Sequence, residues 1–303
     1  MIYAKIKVTP EKAEEIRDFY KAEEIKDEKR PYDYFQVRRQ GIDIHAYKNR
    51  KEVYAIVFSG PKEAKEEAEL FSKDVTVTES ESTEKNEEGF EDLSRQFGTD
   101  EVGVGDFFGP LIVVASYVEE KDIPLLERFR IEDSKKMKDD YILEIGKSIE
   151  SKFRSYSCSL SAHKLSEIVT RGQNIHKVMA ILHNYSQKKL AERYHISKKV
   201  ICYVDQFESE DLYLKHVGKD RIENPLYFRT RGETFFPSVA LSSVLARYHF
   251  LNEWKKMEED LSCEIPKGAS AQVDLVFQRL RKKEGAEKVD RYVKKYFRNY
   301  QRD

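Results

Sequence analysis

The chain has 303 residues, of which 40% are hydrophobic and 36% are charged, and its net charge is −1 at pH 7. This length predicts about two domains, and the near-zero net charge excludes a uniformly basic nucleic-acid-binding protein, so any basic surface must be local. Three scattered cysteines without CxxC spacing argue against a disulfide framework and predict a cytoplasmic location. No apolar run reaches the roughly 18 residues of a transmembrane helix, so no membrane partner is expected.

The first part of the chain alternates short strand-like and helical segments. The predicted elements are a strand at 2–8, a helix at Pro10–Tyr20, strands at Tyr34–Arg38, Ile42–Tyr47 and Val53–Phe58, and a helix near 62–72. This order predicts a small α+β domain over residues 1–74, with helices on one face of a sheet. Residues 75–92 are polar and acidic, which predicts a linker before a second domain at 93–303.

The second domain alternates apolar strands with amphipathic helices. The predicted elements are a central strand at Leu111–Val118, a strand at Phe153–Leu160, a helix at Asn174–Tyr194, a short strand at Val200–Val204, a helix at Phe236–Trp254 and a basic helical end over 271–299. Such alternation predicts an α/β fold. Within it, His176 and His183 lie seven residues apart on one helix, and we interpret them as packing or surface residues.

Acidic residues are the strongest chemical signal in the sequence. Asp100 and Glu101 stand together before a glycine-rich bend, Asp205 terminates the apolar strand at Val200–Val204, and Glu233 precedes a helix. Asp205 could equally be a strand-end turn residue or a helix cap, and Glu233 could be a first-turn acid favoured by the helix dipole. Together, the four carboxylates could hold two divalent cations for an in-line phosphoryl displacement. Mg²⁺ suits such a site because it binds few protein carboxylates and keeps positions for water and phosphate.

Basic residues beside aromatic ones suggest a surface for nucleic acid. Arg38 and Tyr47 lie on the predicted N-terminal strands and Arg39 directly follows Arg38; basic and aromatic side chains together suit nucleic-acid backbones and bases. An ordinary strand surface explains them equally well. Lys135 and Lys136 could contact phosphates or could belong to a charged turn.

Six segments of residues 95–275 resemble, in order, the motifs of type 2 ribonucleases H, and of ribonuclease HIII in particular. They are the run from Gly98 to Pro110, Asp133–Lys136, Asn174 with Leu182–Asn184, Tyr203–Phe207, Phe228–Glu233 with the helix start that follows, and Pro266–Ser270. The resemblance implies a ribonuclease H-like mixed sheet flanked by helices. It also implies that the N-terminal domain is similar to the TATA-box-binding-protein-like domain of ribonuclease HIII.

The resemblance further implies an endoribonuclease that cleaves the RNA strand of RNA–DNA hybrids with two Mg²⁺ or Mn²⁺ ions. Asp100, Glu101, Asp205 and Glu233 would bind the metals. The implied substrate-binding residues are Gly103, Val104, Gly105, Ser134, Lys135, Lys136, Arg38, Arg39 and Tyr47. We expect a monomer. The alternatives are ribonuclease HII-like cleavage at single ribonucleotides in duplex DNA and a non-catalytic hybrid-binding protein.

Overall fold

The computed structural model describes residues 2–25, 33–39, 41–48, 54–79, 90–131 and 137–301. The chain divides into two compact units, residues 1–88 and 89–303. Each unit has its own five-stranded sheet and its own hydrophobic core. Within these described ranges, no helix is both long and apolar enough to cross a membrane. All three cysteines are free thiols.

The N-terminal unit is an antiparallel sheet with the strand order β2-β3-β4-β1-β5. Its elements are β1 (Ile2–Val8), α1 (Pro10–Phe19), β2 (Asp33–Arg39), β3 (Ile42–Lys48), β4 (Tyr54–Gly60), α2 (Glu63–Glu69) and β5 (Thr76–Glu79). Helix α1 begins where the sequence predicts, because Pro10 fits its first turn and the Thr9 hydroxyl accepts the Lys12 N–H at 3.3 Å. Both helices bury alanines in one core with the sheet.

One predicted boundary of this unit is wrong. The sequence predicts a linker from residue 75, but Thr76–Glu79 form β5, which pairs with the edge of β1. Val75 and Val77 pack against the N-terminal core, and this contact stabilises a short strand in an otherwise polar stretch. Alternation over only four residues is too brief to stand out in the sequence.

The C-terminal unit is a mixed sheet with the strand order β10-β9-β6-β7-β8 and helices on both faces. Its strands are β6 (Gln96–Val102), β7 (Leu111–Val118), β8 (Arg154–Leu160), β9 (Ile201–Asp205) and β10 (Leu226–Arg229). Its helices are α3 (Ile123–Arg128), α4 (Asp139–Lys152), α5 (Ala162–Thr170), α6 (Ile175–Arg193), α7 (Glu210–Val217), α8 (Pro237–Leu261), α9 (Ala271–Glu284), α10 (Ala286–Val289) and α11 (Arg298–Gln301). The end predicted as helical over 271–299 is divided into separate helices, since Gly285 ends α9 with a φ of +83°.

Strand β7 is the centre of this unit, as its apolar run predicts. Every residue of β7 is buried, because α8 covers one face of the strand and α6 covers the other. Burying each such side chain contributes about 1.5–3 kcal/mol. The strand therefore anchors the neighbouring β6, with which it is antiparallel from Gln96 to Val102.

Strand β6 is one of the elements that the sequence analysis did not predict. It reads Gln-Phe-Gly-Thr-Asp-Glu-Val and lacks an alternating apolar pattern, yet its first five residues are buried. Helix α8 lies so close that a Cβ on Gly98 would stand 2.6 Å from the Ser238 hydroxyl oxygen. The Ser242 hydroxyl donates to the Gly98 carbonyl at 2.9 Å. Hydroxyl groups thus satisfy polar atoms at an interface that apolar residues would normally fill.

A buried lysine fixes the loop that follows β6. Lys294 is fully buried, and its ammonium donates to the carbonyl oxygens of Asp106, Phe108 and Gly109 at 2.7, 3.2 and 2.7 Å. Burial lowers the pKa of Lys294 to about 7, while the three carbonyl acceptors favour its charged form. Because the lysine backbone N–H also donates to the Phe107 carbonyl at 2.8 Å, the loop is attached to the C-terminal segment at several points.

We predict that Lys294→Met lowers the free energy of unfolding by about 2–4 kcal/mol, because it leaves buried carbonyl groups without a donor. Urea unfolding measures the change. Lys282→Met, on the exposed side of α9, is the matched control and should change stability by less than about 0.5 kcal/mol. Equal stability of the two variants would contradict the assigned role of the buried ammonium.

Candidate active site

The first two acids of the site lie at the carboxyl end of β6. Asp100 is 8% exposed and Glu101 is half-buried. The Asp100 carboxylate accepts the backbone N–H of Glu101 at 2.7 Å and a hydrogen bond from the Ser243 side chain on α8. These contacts orient a carboxylate that burial alone would disfavour.

The third and fourth acids come to the same edge through the parallel pairing of β6 and β9. Thr99 pairs with Val204, so the next residues along the two strands are Asp100 and Asp205. The Asp205 carboxylate accepts the backbone N–H of Gly232 at 2.7 Å. Gly232 opens a short 3₁₀ turn that carries Glu233, which is 5% exposed. This hydrogen bond ties the fourth acid to the third.

The electrostatics of the site show that the carboxylates are neighbours. Burial, together with the charges of Glu101 and Asp205, raises the pKa of Asp100 well above its ordinary value. Burial, followed by the charges of Glu233 and Glu101, raises the pKa of Asp205 to about 6, although the Gly232 N–H lowers it. Each ionised carboxylate thus makes ionisation of its neighbours less favourable. In the described part of the chain, no group of three or more His, Cys, Asp or Glu side chains is positioned to hold a metal ion.

The donor chemistry of the site fits a divalent cation. All four side chains offer hard carboxylate oxygens, which Mg²⁺ and Mn²⁺ prefer. A cation would offset the repulsion that raises the pKa values of Asp100 and Asp205. The four acids predicted from the sequence are therefore brought to one edge of the sheet by β6, β9 and the turn at Gly232.

His183 also belongs to this site, and its interpretation as a mere packing or surface residue needs correction. The ring is fully buried on α6, and its Nε2 lies 3.1 Å from a carboxylate oxygen of Glu101. Its Nδ1 lies 2.9 Å from the Thr99 hydroxyl. Helical spacing in the sequence shows that His183 shares a face with apolar residues, but it cannot show which strand that face covers. His176 lies elsewhere, 3.9 Å from the Glu208 carboxylate.

The glycine segment after β6 makes a tight turn beside the acids. Gly103 has a φ of +95°, and a Cβ there would lie 2.1 Å from the Pro110 carbonyl oxygen, so only glycine fits. Val104 is half-buried, whereas Gly105 is exposed and would have open space around a Cβ. The turn therefore presents an unobstructed backbone to solvent next to Glu101.

The predicted contacts at Ser134, Lys135 and Lys136 lie outside the described residues. The helix that follows them begins at Asp139, whose carboxylate pairs with Arg247 on α8 and with Lys267 near the start of α9, both at 2.5 Å. These pairs join three motif segments of the unit. Since both partners are basic, they lower the pKa of Asp139 despite its partial burial.

The remaining predicted substrate contacts lie in the N-terminal unit. Arg38 lies on the sheet face away from the helices, 65% exposed, and pairs with Asp43 at 2.7 Å. Tyr47 follows on the same face, stacked on His45 with ring centroids 6.1 Å apart. Arg39 points to the opposite face, since successive strand residues alternate.

Two contacts define the environment of Arg39. Its guanidinium lies 3.5 Å from Glu23 and 6.0 Å from the ring of buried Tyr20. The side chain therefore packs on the helix side of the sheet. The strand register places Lys5 and Lys7 on the same face of the sheet as Arg38 and Tyr47, and both lysines are exposed. The alternation of side chains along one strand is enough to predict that Arg38 and Arg39 point to opposite faces. The neighbours of Arg38 on other strands can be identified only once the register of the sheet is known.

Known proteins match both units. A family model described as Ribonuclease HII matches residues 97–300. A Ribonuclease HIII of Bacillus cereus is 38% identical over 205 residues, which are 67% of this chain and 66% of that relative. A Ribonuclease HIII of Bacillus anthracis shows the same identity and coverage. The aligned part thus spans slightly less than two thirds of these relatives.

Solved structures agree with this assignment. A single-residue mutant of Bst-RNase HIII has a TM-score of 0.67 at 26% identity, covering 99% of this chain and 97% of that one. Bst-RNase HIII in complex with Mn²⁺ has a TM-score of 0.66 at the same identity and coverage. The predicted mixed α/β fold with a small N-terminal domain is confirmed, and the chain belongs to the ribonuclease HII family, in which it is similar to ribonucleases HIII.

Proposed function

We propose that this protein is an endoribonuclease that hydrolyses the RNA strand of RNA–DNA hybrids and leaves 5′-phosphate and 3′-hydroxyl ends. The observation that carries the proposal is the cluster of mutually repelling carboxylates at the carboxyl edge of β6 and β9. Membership of a nuclease family supports phosphodiester hydrolysis, and the Mn²⁺ complex of Bst-RNase HIII supports a divalent cation. We further propose that the protein acts as a monomer in the cytoplasm.

The four acids would share two cations, Mg²⁺ or Mn²⁺. Asp100 would hold the cations together with its charged neighbours Glu101 and Asp205. Glu101, Asp205 and Glu233 would complete the ligand set. When bound, the cations supply Lewis-acid activation of the attacking water and stabilise charge on the leaving 3′ oxygen. The Gly232 N–H would keep the Asp205 carboxylate in place during this reaction.

Substrate selection would rest on backbone and surface groups. The turn at Gly103, Val104 and Gly105, which is exposed at Gly105, would offer backbone groups to the 2′-hydroxyl, the group that distinguishes RNA from DNA. Ser134, Lys135 and Lys136 would contact phosphates, and Arg38 and Tyr47 would contribute to hybrid binding on the N-terminal sheet. Lys5 and Lys7 extend that basic face, whereas Arg39 is engaged on the helix side.

The substrate form has one specific alternative, because the matching family model is described as Ribonuclease HII. Cleavage at a single ribonucleotide in duplex DNA would then be the main activity. Cleavage assays distinguish these two activities. They use a labelled RNA–DNA hybrid and a labelled DNA duplex with one ribonucleotide, each with Mg²⁺, Mn²⁺ or chelator. We expect faster cleavage of the hybrid and no products in chelator. Metal-independent binding without products in any condition would favour a non-catalytic protein.

We predict that Asp100→Asn lowers hybrid cleavage by about a thousandfold or more, because a bridging metal contributes several kcal/mol to the transition state. Hybrid affinity should change little. Single-turnover cleavage and fluorescence anisotropy measure the two quantities. Asp140→Asn, which removes an exposed acid from the first turn of α4, is the control and should retain activity. A rate near that of the wild type for Asp100→Asn would show that the site is wrong.

We predict that Asp205→Asn stabilises the protein in chelator at pH 7 by about 1–3 kcal/mol. The raised pKa of Asp205, about 6, means that the folded state holds more protons than the unfolded state between pH 4 and 6, so stability falls as pH rises through this window. The advantage of the variant should vanish near pH 4. At pH 7, saturating Mg²⁺ should make the wild type the more stable of the two proteins, because only the wild type keeps all four carboxylates as metal ligands.

Thermal unfolding with and without Mg²⁺ at pH 4 and pH 7 tests this prediction. Asparagine retains the oxygen that accepts the Gly232 N–H, so loss of that hydrogen bond does not confuse the result. A variant that is less stable than the wild type in chelator at pH 7 would contradict the carboxylate repulsion.

We predict that the double charge reversal Lys5→Glu/Lys7→Glu weakens hybrid binding and reduces the slope of log K against log salt by about two, because two phosphate contacts are lost. Lys62→Glu/Lys65→Glu changes the net charge equally at the start of α2, which lies against the other face of the sheet. Equal effects of both pairs would show that the open face of the N-terminal sheet does not bind the hybrid.

A further inference from the structure

We infer that His183 is a positioning residue, held in the Nε2–H tautomer by a buried hydrogen-bond chain so that it orients the Glu101 carboxylate. The inference rests on the proposed function in one respect, the metal-binding role of Glu101. It concerns Thr99, His183, Gln187 and Tyr213, none of which is among the four predicted metal ligands or the predicted substrate-binding residues.

The chain of hydrogen bonds has four links. The Tyr213 hydroxyl lies 3.3 Å from Gln187 Oε1, and Gln187 Nε2 lies 3.2 Å from the Thr99 hydroxyl. That hydroxyl lies 2.9 Å from His183 Nδ1, and His183 Nε2 lies 3.1 Å from Glu101 Oε2. Helices α7 and α6 supply the first part of the chain, and strand β6 supplies its end.

The chemistry of each group sets the direction of donation. The Gln187 oxygen can only accept, so Tyr213 donates to it, and the amide nitrogen of Gln187 can only donate, so Thr99 accepts from it. The Glu101 carboxylate at the other end can only accept, so Nδ1 of the neutral His183 ring is the unprotonated nitrogen and accepts the Thr99 hydroxyl proton. The ring proton therefore sits on Nε2 and is donated to Glu101, whose carboxylate can only accept.

Burial of the hydrogen-bonded groups prevents the His183 ring from adopting the other tautomer. Thr99, His183, Gln187 and Tyr213 all have no exposed surface, so water cannot replace a missing partner. The His183 ring also lies 5.0 Å from the Phe207 ring, centroid to centroid, which limits its rotation. A mismatched tautomer would place two lone pairs or two protons against each other inside the core, at a cost of about 1–3 kcal/mol.

The consequence for Glu101 is a fixed orientation before any cation arrives. One carboxylate oxygen accepts from His183, which leaves the other oxygen for a metal ion. Outer partners of metal ligands typically affect metal affinity by about 10–100-fold. We therefore expect a change at Thr99, which touches no substrate or metal, to weaken metal binding through His183.

The test uses Thr99→Val, which removes the hydroxyl at nearly constant volume, and Tyr213→Phe, which removes the far end of the chain. Thr170→Val, an identical change at an exposed position on α5, is the matched control. Long-range ¹H–¹⁵N NMR reports the His183 tautomer, and calorimetry reports Mn²⁺ affinity in the full-length protein. Urea unfolding identifies any variant that fails to fold. If Thr99→Val fails to fold, Tyr213→Phe still tests the inference.

In the wild type we expect the Nε2–H tautomer. In Thr99→Val we expect loss of that single tautomer and Mn²⁺ affinity weaker by about 10–100-fold, with a smaller change in Tyr213→Phe and none in Thr170→Val. An Nδ1–H ring in the wild type, or unchanged Mn²⁺ affinity in both folded chain variants, would overturn the inference. Wild-type protein that binds no Mn²⁺ yet shows the Nε2–H tautomer would instead refute the metal-binding role of Glu101 and, with it, the proposed function.

Discussion

The repulsion among buried carboxylates at one edge of the C-terminal sheet is the constraint on which the rest of the site depends. Parallel pairing of β6 with β9 brings Asp100 beside Asp205, and burial raises the pKa values of both. Packing elsewhere in the unit must therefore offset an unfavourable electrostatic free energy at this edge. The Gly232 N–H, the Ser243 side chain and the His183 ring each supply a hydrogen bond to one carboxylate, so that Asp205, Asp100 and Glu101 are each oriented by a separate element.

The supporting structure is rigid where the chemistry needs precision. Helix α8 approaches β6 closely because Gly98 has no side chain and serine hydroxyls satisfy the polar atoms between them. The buried Lys294 ammonium donates hydrogen bonds to three carbonyl oxygens of the loop that follows the glycine turn. Asp100 and Glu101 thus stand on a strand against which α8 packs closely, and the loop that follows them is held by the buried Lys294. Sites built on such elements hold their geometry better than sites built on loops alone.

The sequence predicted the parts of this fold that have strong local signals. The apolar run of β7 and the short apolar β9 were visible, and Asp205 could be placed at a strand end. Strand β6 was not, because its buried residues other than Phe97 are glycine and polar residues whose partners lie far along the chain. The same reason hid His183, whose contact with Glu101 spans 82 residues. The sequence analysis grouped Arg39 with Arg38 and Tyr47, whereas the structure places its guanidinium near Glu23 and Tyr20 on the helix side of the sheet.

The central claim is that the four acids bind divalent cations together, and anomalous diffraction from crystals grown with Mn²⁺ and a hybrid of non-cleavable RNA tests it most directly. The account predicts two anomalous peaks about 3.5–4 Å apart, with Asp100 oxygens in contact with both and Glu101, Asp205 and Glu233 each in contact with at least one. The absence of any peak within coordination distance of Asp100, at a Mn²⁺ concentration that supports cleavage of ordinary hybrid, would contradict the account.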